Sequence, residues 1–161
     1  MFKKAVGLFV FTVIGTDVVA VCQRRGSFNF KDMKQESWAG LLQPTCHGKL
    51  EEGEEYLDAL WREVEEELGD SGFLPDENGR GLVVLVDGVV KTYAAMVDPS
   101  LIATMQLHSS TGGFRLVSYG DISIIRSALP EYRLNGVPPL IDAMFDDDYE
   151  ALKEGFRHFV Q

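Results

Sequence analysis

The chain has 161 residues, 45% of them hydrophobic, which is enough for one domain with a single sizeable core. Its formal net charge of −10 excludes a general affinity for nucleic acid backbones or anionic membranes, because both need clustered Lys and Arg. The two cysteines, Cys22 and Cys46, are too few for a disulfide framework, so we expect a reducing, cytoplasmic environment.

Two aliphatic strands are predicted at the start of the chain. Ala5 to Ile14 is rich in Val, Phe and Ile, and Val18 to Cys22 is aliphatic again after the turn at Gly15, a pattern that predicts a β-hairpin. The Lys3-Lys4 pair before it is similar to the start of a signal peptide, but the apolar stretch is too short to span a bilayer. We therefore expect a buried strand. The polar segment Ser27 to Ser37 that follows predicts a loop.

An amphipathic helix is predicted from Glu55 to Leu68, a stretch without Gly or Pro. Its apolar residues recur at helical spacing and form one stripe that can pack on a core: Leu57, Leu60, Val64 and Leu68.

The same helix carries three carboxylates on one face. Glu63, Glu66 and Glu67 stand three and four positions apart, within an arc of roughly 100°. Like charges at this spacing destabilise a helix, so a compensating cation is expected, and Mg²⁺ prefers carboxylate oxygens. On charge alone, a solvated helix face is the more common interpretation of such a run. Gly48 and Gly53 bracket a tight polar loop that leads into the helix.

Further elements are predicted along the rest of the chain. Asp70 to Gly81 is a connection rich in Gly. The patterns then predict strands at Leu82 to Val86, Val89 to Val97, Leu101 to Leu107 and Phe114 to Tyr119, with a turn at Gly112-Gly113 before the last. Two helices complete the prediction: Ile122 to Leu129 with Asp121 as N-cap, and a closing helix with the apolar stripe Tyr149, Leu152, Phe156, Phe159 and Val160.

The spacing around the carboxylates decides between the two interpretations of the helix. Gly48 is followed after five residues by Glu54, after seven more by Arg62-Glu63-Val64, and then by Glu66-Glu67 and Gly69. This resembles the Nudix box, G-x5-E-x7-R-E-U-x-E-E-x-G-U, in which U is aliphatic. Only the last position departs from the pattern, because Asp70 stands where an aliphatic residue is usual.

The resemblance implies a fold, an activity and a cofactor. The fold would be an α/β class Nudix-like α/β/α sandwich around a mixed β-sheet, with residues 1–161 as a single domain. The activity would be metal-dependent hydrolysis of a diphosphate linkage in a nucleotide or nucleoside diphosphate derivative, using Mg²⁺ or Mn²⁺. The expected partner is a small phosphorylated substrate, with no nucleic acid polymer and no membrane, and a homodimer stays open.

The resemblance also assigns roles to residues of the box. Glu63, Glu66 and Glu67 would be the catalytic and metal-binding carboxylates, with Glu63 a candidate general base. The main-chain carbonyl of His47 would add a metal contact. Gly48 and the pair Glu54 and Arg62 would support the loop, since a guanidinium can clamp a carboxylate with two hydrogen bonds.

Some positions depart from what the family leads one to expect. Many members have an acidic residue before a late strand, but Ser109 to Arg115 contains no Asp or Glu, and Asp98 is the nearest upstream acid. Leu85, Val86 and Asp87 stand where some subfamilies carry a Pro or Tyr marker of substrate class. The sequence therefore names neither the general base nor the substrate.

Substrate contacts outside the box are predicted from residue type and position. Arg24 and Arg25 stand where related enzymes carry a phosphate-contacting cation, although a solvated strand end explains them as well. Phe28 and Trp38 could stack on a base, although core or lid positions are the usual place for such residues. For Asp146-Asp147-Asp148 we expect helix capping and a favourable interaction with the helix dipole.

Two other functions stay open at this point. Cys46-His47 is similar to a catalytic Cys and metal-binding His of isopentenyl diphosphate isomerases, which implies proton transfer by Cys46. A Nudix module that binds a nucleotide or a partner without catalysis is the second alternative.

Overall fold

A computed structural model describes residues 3–69, 79, 81–106, 108, 111–133 and 139–160. The strands in chain order are β1 (Ala5–Ile14), β2 (Asp17–Arg25), β3 (Phe28–Asn29), β4 (Lys34–Gln35), β5 (Leu42–Gln43), β6 (Cys46–Lys49), β7 (Val83–Asp87), β8 (Val90–Met96), β9 (Thr111–Ser118), β10 (Arg126–Ser127) and β11 (Ala143–Met144). The α-helices are α1 (Tyr56–Leu68), α2 (Pro99–Ile102) and α3 (Asp146–Phe159), and two 3₁₀ helices span Tyr119–Ile124 and Pro130–Arg133.

The main sheet is mixed and is built around β1. Its strand order is β10-β11-β5-β2-β1-β8-β7, while β6 pairs with β1 and β9 pairs with β2. Strand β1 runs antiparallel to β2 and β6 and parallel to β8. Strand β6 pairs with the first half of β1 and β2 pairs with its second half. The loop that connects β6 to α1, called the box loop below, therefore starts next to the central strand of the sheet.

Alternation along β1 explains why helices cover both faces of the sheet. Val6, Leu8 and Val10 pack in one core with Leu60, Val64 and Leu68 of α1. Phe9 and Phe11 point to the other side and pack with Leu152 and Phe156 of α3. With side chains of period 2 and both faces apolar, β1 must be buried on both sides. The predicted α/β/α sandwich around a mixed sheet is confirmed.

Most of the predicted elements are present with small shifts in their ends. The first hairpin, the helix from Glu55 to Leu68 and the closing helix are confirmed, as are the strands on either side of Asp87-Gly88. The predicted loop Ser27 to Ser37 contains a small hairpin of β3 and β4. Of the predicted connection Asp70 to Gly81, only Gly79 and Gly81 lie among the described residues.

The predicted strand from Leu101 to Leu107 is wrong, and Leu107 lies outside the described residues. A short helix, α2, occupies the start of this segment because Asp98 accepts a hydrogen bond from Ser100 N at 2.9 Å and Pro99 follows it at the first helical position.

The predicted turn at Gly112-Gly113 is also wrong, because both residues lie inside β9. Strand β2 has an irregular register between Gln23 and Arg25 at this point. A Cβ on Gly112 would stand only 3.1 Å from the Arg25 carbonyl oxygen, so the close approach of the two backbones favours glycine.

Two helix caps differ from the prediction. Ser118, not Asp121, caps the segment after β9, and Asp121 accepts a hydrogen bond from Ser118 N at 2.9 Å. That segment is a 3₁₀ helix followed by β10, not an α-helix to Leu129. Residue 145 is the N-cap of α3 without a side-chain bond, so the three aspartates form the first turn and interact with its dipole instead of capping it.

None of the helices in the described ranges combines the length and the apolarity needed to cross a lipid bilayer.

Candidate active site

A bidentate ion pair fastens the box loop to α1. Arg62 Nε donates to Glu54 Oε1 at 2.9 Å and its Nη2 donates to Glu54 Oε2 at 3.0 Å. The same Nη2 donates to the Lys49 carbonyl oxygen at 2.9 Å, and Glu51 N donates to Glu54 Oε2 at 2.8 Å. The hydrogen bonds from Arg62 lower the pKa of Glu54. The loop between β6 and α1 is therefore held at both its ends by one guanidinium.

Glu63 fills the space above Gly48. It is a buried residue of α1, and a Cβ built on Gly48 would overlap its carboxyl carbon and both oxygens. Burial raises the pKa of Glu63, while Arg62 Nη1, which donates to Glu63 Oε1 at 2.6 Å, acts in the opposite direction. Glycine at position 48 thus lets strand β6 approach a charged helix face closely.

Glu67 has a buried oxygen without a hydrogen-bond partner. The main-chain N–H of His47 hydrogen-bonds to its carboxyl group, but Oε2 is inaccessible and unsatisfied in the part of the chain that the structure describes. Burial, followed by the charge of Glu63, raises the pKa of Glu67 to about 8. A cation beside Oε2 would satisfy it and restore the ionised form.

Glu66 completes the carboxylate face from the solvent side. Its side chain is 60% exposed, and its Oε2 stands 3.6 Å from Arg62 Nη1. Among the described residues no three His, Cys, Asp or Glu side chains are already gathered around one point. The guanidinium of Arg62 places a positive charge between Glu63 and Glu66. The hard oxygen donors and the orphaned Glu67 oxygen nevertheless fit a divalent cation.

The register of β6 on β1 turns the main-chain N–H and C=O of His47 toward the carboxylate face of α1. Leu50 N donates to the Lys4 carbonyl oxygen at 3.0 Å, and Gly7 stands opposite His47. Because hydrogen-bonded pairs alternate in an antiparallel ladder, His47 falls on a pair whose main-chain groups point away from β1. This is the side from which its N–H reaches Glu67, and its carbonyl lies on the same side, as a contribution to a metal site requires.

The family model of the NUDIX domain matches residues 1–96, which is more than half of the chain. The chain belongs to the Nudix family. The expectation of an enzyme of the Nudix pyrophosphohydrolase class is confirmed at the level of this family. A search of functionally curated proteins gave no match.

Solved structures agree with the Nudix fold. The NUDIX domain of Shewanella oneidensis NrtR, crystallised with ADP ribose, superposes with a TM-score of 0.60 at 12% identity, over 99% of this chain and 90% of that one. A mutT/nudix family protein from Listeria innocua gives a TM-score of 0.58 at 15% identity, over 97% and 92% of the two chains. At such identities the likeness concerns the fold alone.

A chain of polar side chains runs from His47 to the Nudix carboxylates. His47 Nε2 lies 2.7 Å from Gln43 Oε1, Gln43 Nε2 donates to Gln23 Oε1 at 2.8 Å, and Gln23 Nε2 lies 2.6 Å from His108 Nε2. His108 Nε2 in turn lies 3.9 Å from Glu67 Oε2. The amide directions make His47 Nε2 a donor and His108 Nε2 an acceptor, and the acceptor role requires a neutral His108 ring. Burial lowers the pKa of both histidines, that of His47 to about 4.

Sequence reasoning missed Gln23, Gln43 and His108. His108 directly precedes the acid-free segment at Ser109, so it reaches Glu67 from the region where an acidic residue was sought. The available signal was Gln23, a polar residue that continues the inward-facing positions of an otherwise aliphatic strand.

The predicted substrate-contacting arginines are engaged in ion pairs. Arg24 Nη2 lies 2.9 Å from Asp142 Oδ1, and Arg115 Nε lies 2.6 Å from the other oxygen of the same carboxylate. Arg25 donates to the Ser37 carbonyl oxygen at 2.7 Å and pairs with a glutamate of the same loop. After burial, the charge of Arg25 is the next cause that lowers the pKa of His47.

The two predicted aromatic contacts lie in different places. Phe28 is half-buried in the small hairpin, with its ring centroid 5.1 Å from that of Phe30. Trp38 is half-buried, and its ring centroid is 4.9 Å from that of Phe145 at the start of α3. Of these two aromatic residues, Trp38 is therefore the one next to the N-terminus of α3.

Cys46 lies in the core. It is fully buried, stands opposite Leu8 in the sheet and packs with the apolar side chains of α1. Burial and the charges of Glu67 and Glu63 raise the pKa of its thiol far above the usual value. A protonated thiol without access to solvent is unsuited to proton transfer with a substrate.

Proposed function

We propose that the chain hydrolyses a diphosphate linkage in a nucleotide or nucleotide derivative, with Mg²⁺ or Mn²⁺ as cofactor. The observation that carries the proposal is the buried, unsatisfied Oε2 of Glu67 beside Glu63 on the α1 face that Arg62 locks to the box loop. The similar NUDIX domain of NrtR binds ADP ribose, a nucleotide with a diphosphate linkage, which supports this substrate class.

Each residue of the box has a distinct task in this proposal. Glu63, Glu66 and Glu67, with the His47 carbonyl, would hold the cation. That cation, when bound, polarises a phosphoryl oxygen and lowers the pKa of the attacking water. Arg62 and Glu54 keep the carboxylates and the loop in register, and Gly48 leaves room for the Glu63 carboxylate. Glu63 stays a predicted general base.

The closing test compares three substitutions in one helix. Glu66→Gln and Glu67→Gln should each lower Mg²⁺-dependent hydrolysis of nucleoside triphosphates and dinucleotides, followed through the nucleoside monophosphates formed, at least about a hundredfold, because a cation contributes several kcal/mol to the transition state. Glu65→Gln, an exposed neighbour outside the ligand set, serves as the matched control. Titration with Mn²⁺ gives an independent readout, in which Glu67→Gln binds the ion more weakly. Full turnover by both variants would refute the metal assignment.

The structure disfavours the isomerase alternative because Cys46 is buried and its thiol is protonated. A non-catalytic module would bind nucleotides without any metal-dependent turnover in the same assay. We infer that residues 1–161 act as one domain, since both faces of a single sheet are covered by helices of the same chain. The cytoplasmic location rests on the cysteine content and stays a prediction, as does a homodimer.

A further inference from the structure

A cavity, called the α3 cavity below, lies between the 3₁₀ helix Tyr119–Ile124 and α3. Its volume is about 450 Å³, within the range of roughly 300 to 1,000 Å³ that is typical of small-molecule sites. Four residues of the 3₁₀ helix line one side, and Tyr149, Lys153 and Arg157 of α3 line the other. Among the described residues, none that lines it belongs to the Nudix box or lines the cavity beside Gly48. The α3 cavity is therefore separate from the proposed catalytic site.

The three residues that α3 contributes form one stripe along that helix. Tyr149, Lys153 and Arg157 are four positions apart, so their side chains lie one above the other. Lys153 Nζ lies 5.2 Å from the centroid of the Tyr149 ring, over the ring face. Tyr149 Oη donates to the Ile122 carbonyl oxygen at 3.4 Å, which holds this ring beside the 3₁₀ helix. One wall of the cavity is thus an aromatic ring followed by two cations.

The lining of the α3 cavity is positively charged although the chain as a whole is acidic. The formal net charge is −10, yet among the described residues that line the cavity two are cations and none is Asp or Glu. Lys153 pairs with Glu150 at 3.0 Å, and Arg157 pairs with Glu154. These two carboxylates are 62% and 47% exposed, so both ion pairs are weak and a more highly charged anion can replace them. The local excess of positive charge favours an anionic ligand.

Two cations one turn apart suit a phosphate better than a carboxylate. Side chains four positions apart on a helix start about 5–6 Å from each other, so both cations can reach one tetrahedral anion. One cation neutralises a carboxylate, whereas a phosphate monoester carries nearly two negative charges at pH 7 and offers three acceptor oxygens. The guanidinium of Arg157 can also bind phosphate with two parallel hydrogen bonds. The anion that matches this stripe is therefore a phosphate monoester.

The remaining walls of the α3 cavity suit a flat ring. Tyr119 is 61% exposed and lines the cavity from the 3₁₀ helix. Its ring centroid lies 5.9 Å from that of the buried Phe156, which supports the ring from the core. Exposed aromatic side chains are platforms on which planar rings stack. A ligand with a ring close to its phosphate would contact Tyr119 or Tyr149 and the two cations together.

We propose that the α3 cavity binds an aromatic phosphate monoester, with its ring against Tyr119 and Tyr149 and its phosphate between Lys153 and Arg157. Nucleoside monophosphates and phosphate esters of other ring compounds share this chemistry. The inference goes beyond the proposed hydrolysis and does not rest on it, because binding in this cavity uses neither the cation nor the Nudix carboxylates.

The test measures binding of small probes to the full chain by calorimetry in buffer with EDTA. Without a cation the Nudix carboxylates repel phosphate, so binding at the catalytic site is suppressed. Phenyl phosphate should bind at least about tenfold more tightly than inorganic phosphate and than benzyl alcohol, because each of these lacks one half of the ligand. Adenosine and uridine monophosphates identify the source: tighter binding than phenyl phosphate assigns the site to nucleotides, and weaker binding assigns it to other ring compounds.

Substitutions of the charged residues test the phosphate contact in both directions. Lys153→Gln and Arg157→Gln should each weaken phenyl phosphate at least about fivefold. Glu154→Gln should tighten it about threefold, because Arg157 then loses the carboxylate that competes with the ligand. Lys34→Gln is the matched control, since this exposed lysine also lies near an acidic partner but outside the cavity. Unchanged affinity in both cation variants would overturn the inference.

Two further measurements locate the ring and the site. Tyr119→Ala should weaken phenyl phosphate about fivefold and leave inorganic phosphate unchanged, because it removes the aromatic wall and no cation. Amide NMR shifts on addition of phenyl phosphate should cluster in residues 119–124 and 149–157. Shifts confined to the Nudix box, or equal affinity for phenyl phosphate and inorganic phosphate, would overturn the inference. Glu67→Gln should bind phenyl phosphate as wild type does, so loss of the proposed hydrolysis and loss of this site are distinguishable.

Discussion

Gly48 of β6 lies directly beneath the Glu63 carboxyl group of α1, so closely that a side chain of any size at position 48 would occupy the same space. The backbone of Gly48 is not in the left-handed region where glycine is favoured for conformational reasons. Space, not backbone strain, therefore explains the glycine that opens the box.

We predict that Gly48→Ala lowers kcat/KM for diphosphate hydrolysis about a hundredfold, because displacement of a catalytic group by about 1 Å has effects of this size. Gly120→Ala is the control, since its Cβ would meet only Ser118 Oγ at an ordinary 3.8 Å. Steady-state kinetics with Mg²⁺ and a thermal melt of both variants separate loss of activity from loss of fold. Wild-type kinetics in Gly48→Ala would contradict the steric argument.

Arg62→Lys should impair catalysis although the charge is kept. Lysine cannot reproduce the two parallel hydrogen bonds to Glu54, and it loses the contacts to the Lys49 carbonyl oxygen and to Glu63. We expect a fall in kcat of about tenfold or more, with a lower melting temperature. In a double-mutant cycle, adding Glu54→Gln to Arg62→Lys should cost much less than Glu54→Gln alone. Strictly additive effects would show that the pair does not act as a unit.

The unfolding free energy should depend on pH through Asp148. Burial and the charge of Asp147 raise its pKa from the usual 3.8 to about 7 in the folded protein, so the folded state binds more protons than the unfolded state between these values. Stability therefore falls as pH rises from about 4 to 7. Asp148→Asn lacks this titration, so its unfolding free energy should rise relative to that of wild type by roughly 1–3 kcal/mol between pH 4 and pH 7, as measured by urea titrations. Asp146→Asn controls for the loss of one charge from the same turn, and a parallel pH profile of Asp148→Asn and wild type would refute the prediction.

Cys46→Ser should retain most of the Mg²⁺-dependent hydrolysis, within about threefold of wild type, since the buried thiol contacts the core and no reacting group. A hydroxyl group in this apolar setting should lower the unfolding free energy by about 1–3 kcal/mol. Comparison of kcat with the urea midpoint distinguishes the two effects. Near-complete loss of activity in a folded variant would revive the isomerase alternative.

Gly155→Ala should destabilise the protein even though alanine favours helices. A Cβ on Gly155 would overlap the ring of Phe11, which also packs on Phe156 with ring centroids 5.2 Å apart. We expect a loss of about 1–3 kcal/mol in urea unfolding, the usual cost of overpacking. Phe11→Leu should make the Gly155→Ala change less harmful in the double variant. Additive losses would mean that the ring is not the obstacle.

The sequence by itself determined the box helix, its apolar stripe and the first hairpin. The spacing of apolar residues, every 3.6 positions in a helix and every 2 in a strand, is a local property of the sequence. It predicts the element wherever one face of that element is buried. The resemblance of Gly48 to Gly69 to the Nudix box also implied the pairing of Arg62 with Glu54, which the structure contains.

Only the tertiary structure decided which distant residues meet around that helix. Gln23 and His108 are 85 positions apart and come into contact because β9 pairs with β2. Asp148 was assigned to a helix terminus by its sequence neighbours, and the packing of α3 on β1 and β8 also brings it to a cavity that Gly7 and Gly48 line. The pairing of strands that are distant in sequence cannot be predicted from a short stretch of residues. The residues of the Nudix box, in contrast, all lie within twenty-two consecutive positions, from Gly48 to Gly69.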